Sequence, residues 1–92
     1  MTYRIRVVPV VHEQFRAIPA GLRTAVAAQI RQLGLSPTRF SQPTRIPYPE
    51  KSQLCEQIHH HEGKDYRVVV VFQYAMDEER LLLLQIRVAP VE

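Results

Sequence analysis

Cysteine is nearly absent from this 92-residue chain. With Cys55 alone there can be no intramolecular disulfide, which excludes a disulfide-stapled scaffold and fits a reducing cytoplasm. No charge-free apolar run is long enough to cross a bilayer. The opening MTYRIRVVP alternates charged and apolar groups, so it does not read as a signal peptide. Internal repeats and low-complexity segments are missing too. These absences point to one non-membrane, cytoplasmic domain spanning residues 1–92.

The apolar content of 46% and charged content of 23% are those of an ordinary globule. The formal net charge is +3. That lean is compatible with nucleic acid, with an acidic protein partner, or with plain surface charge.

Residues 3–8 (YRIRVV) alternate, with Tyr3, Ile5 and Val7 on one side and Arg4 and Arg6 on the other, as in a half-exposed strand. From Val11 the period changes. Val11, Phe15, Ile18, Leu22, Val26, Ile30 and Leu33 form a helical stripe. Pro19 and Gly21 interrupt it, which predicts helices near 10–17 and 20–34 in a hairpin. Pro19 falls in the first turn of the second helix, and Gly34 with Pro37 ends it. Arg16, Arg23 and Arg31 are expected on the solvated outer face. Residues 35–52 hold four prolines and read as a long, stiff loop. Its Arg39, Arg45 and Lys51, interleaved with Phe40 and Tyr48, suit either a nucleic-acid edge or a loop whose aromatics pack on the core. Three strands follow, at 53–61, 65–75 and 80–89, joined by hairpin-sized turns. The fold class is α+β: a small antiparallel sheet of about four strands with an N-terminal helical hairpin on one face, in the order β-α-α-β-β-β.

The segment CEQIHHHEGKDYRVVVVFQY, from Cys55 to Tyr74, carries the most chemistry. Arg67 stands at the mouth of a very apolar strand. An unpaired charge is costly to bury, so Arg67 must face water, a carboxylate or an anion. A three-residue turn at Glu62-Gly63-Lys64 sets His59 against Arg67. An Ala75-to-Glu79 turn sets Arg67 against Arg87, with Val68, Val70, Phe72, Leu82, Leu84, Ile86 and Val88 toward the core. The expected result is a His59–Arg67–Arg87 row on the face away from the helices. Opposed like charges destabilise a sheet. Such a row needs either a visiting anion or a local carboxylate, from Glu56, Asp65 or Glu92. The triple histidine is poorly spaced for a metal, because only His59 and His61 share a strand face. Acid–base work suits histidine, and a nearby Arg67 would lower its pKa toward the neutral form. Cys55 reads as a small packed residue, not a nucleophile.

YRIRVV, FRAIPAGLRTAVAAQIRQLGLSP, the strand from Leu54 to His61 and GKDYRVVVVFQY together resemble the RelE/ParE superfamily of bacterial type II toxin–antitoxin toxins, over nearly the whole chain. The resemblance implies this same fold, with a basic groove opposite the helices. Its ribonuclease branch implies a metal-independent mRNA endonuclease that acts in the ribosomal A site and inhibits translation. There the 2′-hydroxyl attacks the adjacent phosphate and cations stabilise the developing charge. On that reading Arg67 binds the scissile phosphate and His59 or His61 moves a proton. Arg87, Lys64, His60, Arg45 and Lys51 hold flanking phosphates, and no cofactor or metal is needed. The alternative implied by the other branch is a gyrase inhibitor, or a non-catalytic binding module with the toxin fold. The ribonuclease branch usually carries a basic residue and a tyrosine just after its last strand, where this sequence reads RVAPVE. The implied partners are a cognate antitoxin, acidic to suit a +3 toxin, and the ribosome with its mRNA or DNA gyrase. A homodimer is compatible with the sequence.

Overall fold

The computed structural model describes residues 3–44, 51–74 and 80–91. Strand β1 (Arg4–Val7) leads into helix α1 (Pro9–Arg16) and helix α2 (Ala20–Leu35). Then come strands β2 (Gln42–Pro43), β3 (Gln53–His61), β4 (Lys64–Tyr74) and β5 (Arg80–Pro90). The sheet order is β1-β5-β4-β3-β2. β5, β4, β3 and β2 pair antiparallel, while β1 pairs parallel with β5. The expected α+β layout is present, with two amendments. The sheet is mixed, because the helices carry the chain from one edge of the sheet toward the other. A fifth, two-residue strand forms inside the segment expected to be a loop.

The helical stripe works as its spacing predicts. Val11, Ile18, Leu22, Val26 and Leu33 are buried against Val68, Val70, Phe72, Leu81, Leu83 and Ile86. Pro9 opens α1, where its missing N–H is no loss. Pro19 stands at the N-cap of α2, one step earlier than expected. Gly34 does not end α2. It lies buried within the last turn, where an added Cβ would meet Ile5 Cδ1 at 3.1 Å. Its role is close approach of helix and strand, and its carbonyl accepts the Tyr3 N–H at 2.8 Å.

Arg16 and Arg31 are solvated, but Arg23 is not a free surface group. Its guanidinium lies over the Phe15 ring and donates to the carbonyls of Arg16 and Ile18 at 3.0 and 2.9 Å. It thereby ties the carbonyl end of α1 to α2, which supplies orphan acceptors with a cationic donor.

Two register details decide which side chains face where. The β3–β4 turn has two residues, not three. Glu62 (φ 49°) and Gly63 (φ 80°) both lie at positive φ, and His61 pairs directly with Lys64. Positive φ at both central positions is the signature of the tight hairpin turn that matches strand twist. In β5 the pairing shifts by one between Val71 and Phe72, leaving Leu84 as the extra residue of a bulge. The bulge reverses the expected parity of the first half of β5. Leu81 and Leu83 are buried in the core, while Leu82 and Leu84 are only half-buried. Beyond it, Ile86 returns to the core, and its N–H donates to Gln14 Oε1 of α1 at 2.8 Å. The Ala75-to-Glu79 turn lies outside the described residues.

Gly63→Ala should destabilise the chain by about 1 kcal/mol, because a Cβ at positive φ is strained. Glu62→Asn should stabilise it by a few tenths of a kcal/mol, since asparagine tolerates this conformation. Equilibrium urea unfolding of both variants gives the two signs.

Candidate functional site

The two-residue turn moves every histidine by one place relative to Arg67. His59 pairs with Tyr66 and His61 with Lys64, whereas Arg67 pairs with Ile58. The expected His59–Arg67–Arg87 row is therefore not formed. His59 and His61 share the helix-facing side of β3 with Cys55 and Gln57. Glu56, Ile58 and His60 share the open side with Arg67. Arg67 pairs across β5 with Ala89, and Arg87 with Val69, so the two arginines are diagonal neighbours on one face. The offset relieves the direct opposition of like charges.

On the helix side, His59 joins a buried polar node. Gln29 of α2 is 1% exposed. Its Nε2 donates to the Cys55 and Val68 carbonyls, both at 3.2 Å, and lies 3.6 Å from Cys55 Sγ. Carbonyl oxygens only accept, so that end of the carboxamide is the nitrogen and Oε1 must accept. His59 Nε2 lies 2.8 Å from Gln29 Oε1 and is the donor. Neutral His59 is thus the Nε2–H tautomer, with its lone pair on Nδ1. Burial lowers its pKa from the ordinary value. The expected direction is right, but the cause is desolvation, not Arg67. Burial likewise raises the Cys55 thiol pKa, opposed in part by the Gln29 contact, which suits a packed, unreactive side chain.

His61 packs at the start of α2. A Cβ on Gly21 would fall 2.7 Å from His61 Cε1, so glycine is what lets the imidazole lie there. The ring is tilted against Tyr66 at 6.4 Å between centroids. This is a packing role, remote from the Arg67 face.

On the open side, local carboxylates have reached over. Arg67 Nε lies 3.6 Å from Glu56 Oε1, with both side chains about half exposed. His60 Nδ1 lies 2.9 Å from Asp65 Oδ1, and the carboxylate can only accept, so Nδ1 carries the proton. Ile58 is 55% exposed between them, an apolar surface beside the guanidinium. The sheet face is not open throughout, for Val71 on the same side is 1% exposed. Its accessible part is the hairpin end: Glu56, Ile58, His60, Arg67 and Arg87.

The remaining predicted residues scatter. Lys64 is exposed and falls on the helix-facing parity of β4 at the hairpin tip. Lys51 is exposed at φ 61°, at the far end of β3. Arg45 and Tyr48 lie outside the described residues. Phe40 does pack on the core, half-buried, with Arg39 over its ring. Among the described residues, no group of three His, Cys, Asp or Glu side chains is placed to hold a metal. No helix among them is long and apolar enough to cross a membrane.

The sequence names Glu56 only as one carboxylate that could reach the cations, not as a site residue. The signal was the Glu62-Gly63 dipeptide. Read as a two-residue turn, it places Glu56 diagonally across from Arg67.

The titration of His59 gives a direct check. Its folded pKa lies below its unfolded one, so stability is full above the ordinary histidine pKa of about 6.5. Stability falls as pH drops through that value toward the folded pKa. Histidine NMR titration should place His59 below its unfolded value, and His59→Gln should remove part of the acid-side loss of stability.

No protein-family model matches the chain, and no curated protein matches it. Its shape does match solved structures. A RelBE2 toxin–antitoxin complex from Mycobacterium tuberculosis aligns with TM-score 0.70 at 16% identity, covering 94% of this chain and 96% of that one. The intact E. coli RelBE toxin–antitoxin complex aligns with TM-score 0.61 at 13% identity, covering 91% and 93%. A doubly substituted E. coli RelE bound to an antitoxin RelBc peptide aligns with TM-score 0.63 at 14% identity, covering 94% and 82%. The chain has the fold of the RelE toxins.

Proposed function

We propose that this RelE-fold chain is the toxin of a type II toxin–antitoxin pair, that it cleaves mRNA without a metal, and that an acidic antitoxin restrains it. The observation that carries the reading is the half-exposed Glu56–Arg67 pair on the face opposite the helices. Cleavage by the 2′-hydroxyl asks for three things: a base, a cation on the phosphate and an acid for the leaving oxygen. Glu56 takes the 2′-hydroxyl proton. The 2′-oxygen then bonds to the adjacent phosphorus, and the phosphorus–5′-oxygen bond breaks. Arg67 holds the charge that gathers on the phosphoryl oxygens. Protonated His60, oriented by Asp65 through Nδ1, gives the Nε2 proton to the departing 5′-oxygen. Arg87 stands diagonal to Arg67 and steadies a neighbouring phosphate. The products are a 2′,3′-cyclic phosphate and a 5′-hydroxyl. These roles replace those assigned to His59 and His61, which face the helices. The mRNA in the ribosomal A site is the substrate on this reading, in the cytoplasm.

The net charge of +3 favours an acidic antitoxin through steering and charge complementarity. A second reading, a non-catalytic binding module or gyrase inhibitor, draws on Ile58. An apolar side chain 55% exposed beside Arg67 suits a protein contact.

Expression of the chain in bacteria should arrest growth and leave cuts within translated frames. Glu56→Gln and Arg67→Ala should each lower cleavage by 100-fold or more, an effect of the size expected for losing a base or an oxyanion stabiliser. Intact transcripts, with toxicity that survives both substitutions, would sink the nuclease reading in favour of the binding module.

A further inference from the structure

A cleft at the β2–β3 edge of the sheet, beside Glu56, has not yet been given a role. It has a volume of about 380 Å³ and is walled by Phe40, Leu54, Arg39, Gln42, Gln57 and Glu56 itself. That space holds a nucleobase with room for water. Its chemistry is also suited to one. Phe40 is half-buried and fixed against the core, and the Arg39 guanidinium carbon lies 5.7 Å from its ring centroid. Aromatic faces and guanidinium planes are the two side-chain surfaces on which unpaired bases stack.

The rim supplies groups that read base edges. Gln42 is exposed on β2, and its carboxamide offers a donor and an acceptor side by side. Gln57 is held in place by donating from Nε2 to Gln32 Oε1 at 3.1 Å. β2 pairs only with Gln53 and Leu54. Past Leu54, therefore, the main-chain edge of β3 has no strand beside it among the described residues.

Position decides the matter. Glu56 is shared by the cleft and the Arg67 pair, so one side chain links the two. A nucleotide with its phosphate on Arg67 would have this cleft across Glu56 from that phosphate.

We infer that the Phe40–Leu54–Gln42 cleft is a nucleobase subsite that selects which nucleotide presents its phosphate to Arg67. The inference rests on the proposed RNA-cleaving reading for its purpose, but its binding test does not. The labelled full chain is titrated with inorganic phosphate, with the four nucleoside 3′-monophosphates and with the unphosphorylated nucleosides, followed by NMR. Nucleotides should shift the side-chain amides of Gln42 and Gln57 together with the Arg67 Nε–H. Nucleosides should shift the amides alone, and phosphate Arg67 alone. Phe40→Leu keeps apolar bulk but removes the stacking face. It should weaken nucleotide binding about tenfold and leave phosphate binding unchanged. Should that variant fail to fold, Gln42→Ala on the exposed strand should still reduce the difference in affinity among the four bases. Amide shifts without an Arg67 shift support the subsite and remove the phosphate assignment. Arg67 shifts without amide shifts, or equal nucleotide binding in wild type and Phe40→Leu, overturn the subsite while leaving the phosphate assignment standing.

Discussion

Two residues at positive φ, Glu62 and Gly63, set the chemistry of both sheet faces. A strand has a side-chain period of two, so a one-residue change in turn length carries every residue of one strand to the opposite face relative to its partner. With the two-residue turn, His59 meets the helices and Glu56 meets Arg67. A three-residue turn would do the reverse. It would set an imidazole beside a guanidinium and turn the Glu56 carboxylate toward the core. The tight turn is the arrangement in which each charged group has water or an opposite charge.

The buried face is then locked by Gln29. One carboxamide from α2 satisfies two main-chain carbonyls of the sheet and receives the His59 N–H. A buried polar group is tolerated only when satisfied, and leaving one partner out costs about 1–3 kcal/mol. The node thus favours one placement of the helix over β3 and β4, something apolar contacts alone specify weakly. Gly21 and His61 do the same by shape at the start of α2, and Gly34 against Ile5 does it at the end. Three fixed points along one helix hold the sheet in register with it.

The sequence made the elements legible where periodicity was long, as in the stripe from Val11 to Leu33, and where β-branched residues ran together, as in β4. It was less informative wherever one residue decided parity. Nothing in LLLL marks Leu84 as the bulge, because all four side chains suit either face. The bulge shows only in the pairing, where Val71 meets Gln85 and Phe72 meets Leu83. Gly34 had the composition of a helix stop, yet tertiary contact with Ile5 carries the helix past it to Leu35. Arg67 as an outward cation was readable from its chemistry. Its partner was readable only as one of three carboxylates, because the choice depended on the turn. Of the two answers left open for the cations, a visiting anion or a carboxylate from Glu56, Asp65 or Glu92, the structure shows Glu56 beside Arg67, while Asp65 pairs with His60, which lay outside the expected row.

A carboxylate on Arg67 does not close that site to phosphate. The pair is half exposed, and exposed ion pairs contribute only about 0–1 kcal/mol net. A phosphodiester offers the guanidinium two oxygens in its own plane, and charge-assisted bidentate bonds of that kind are stronger than the single 3.6 Å contact Glu56 makes. RNA entering this face would displace the carboxylate from the guanidinium without removing it from the site. Glu56 would then stand beside a bound phosphate with its proton-accepting oxygens released. Such a pair gives each group an opposite charge when the face is empty and yields readily to an arriving anion. A His59–Arg67–Arg87 row lacks this property, because its two guanidinium groups repel each other with no carboxylate to answer them until an anion binds.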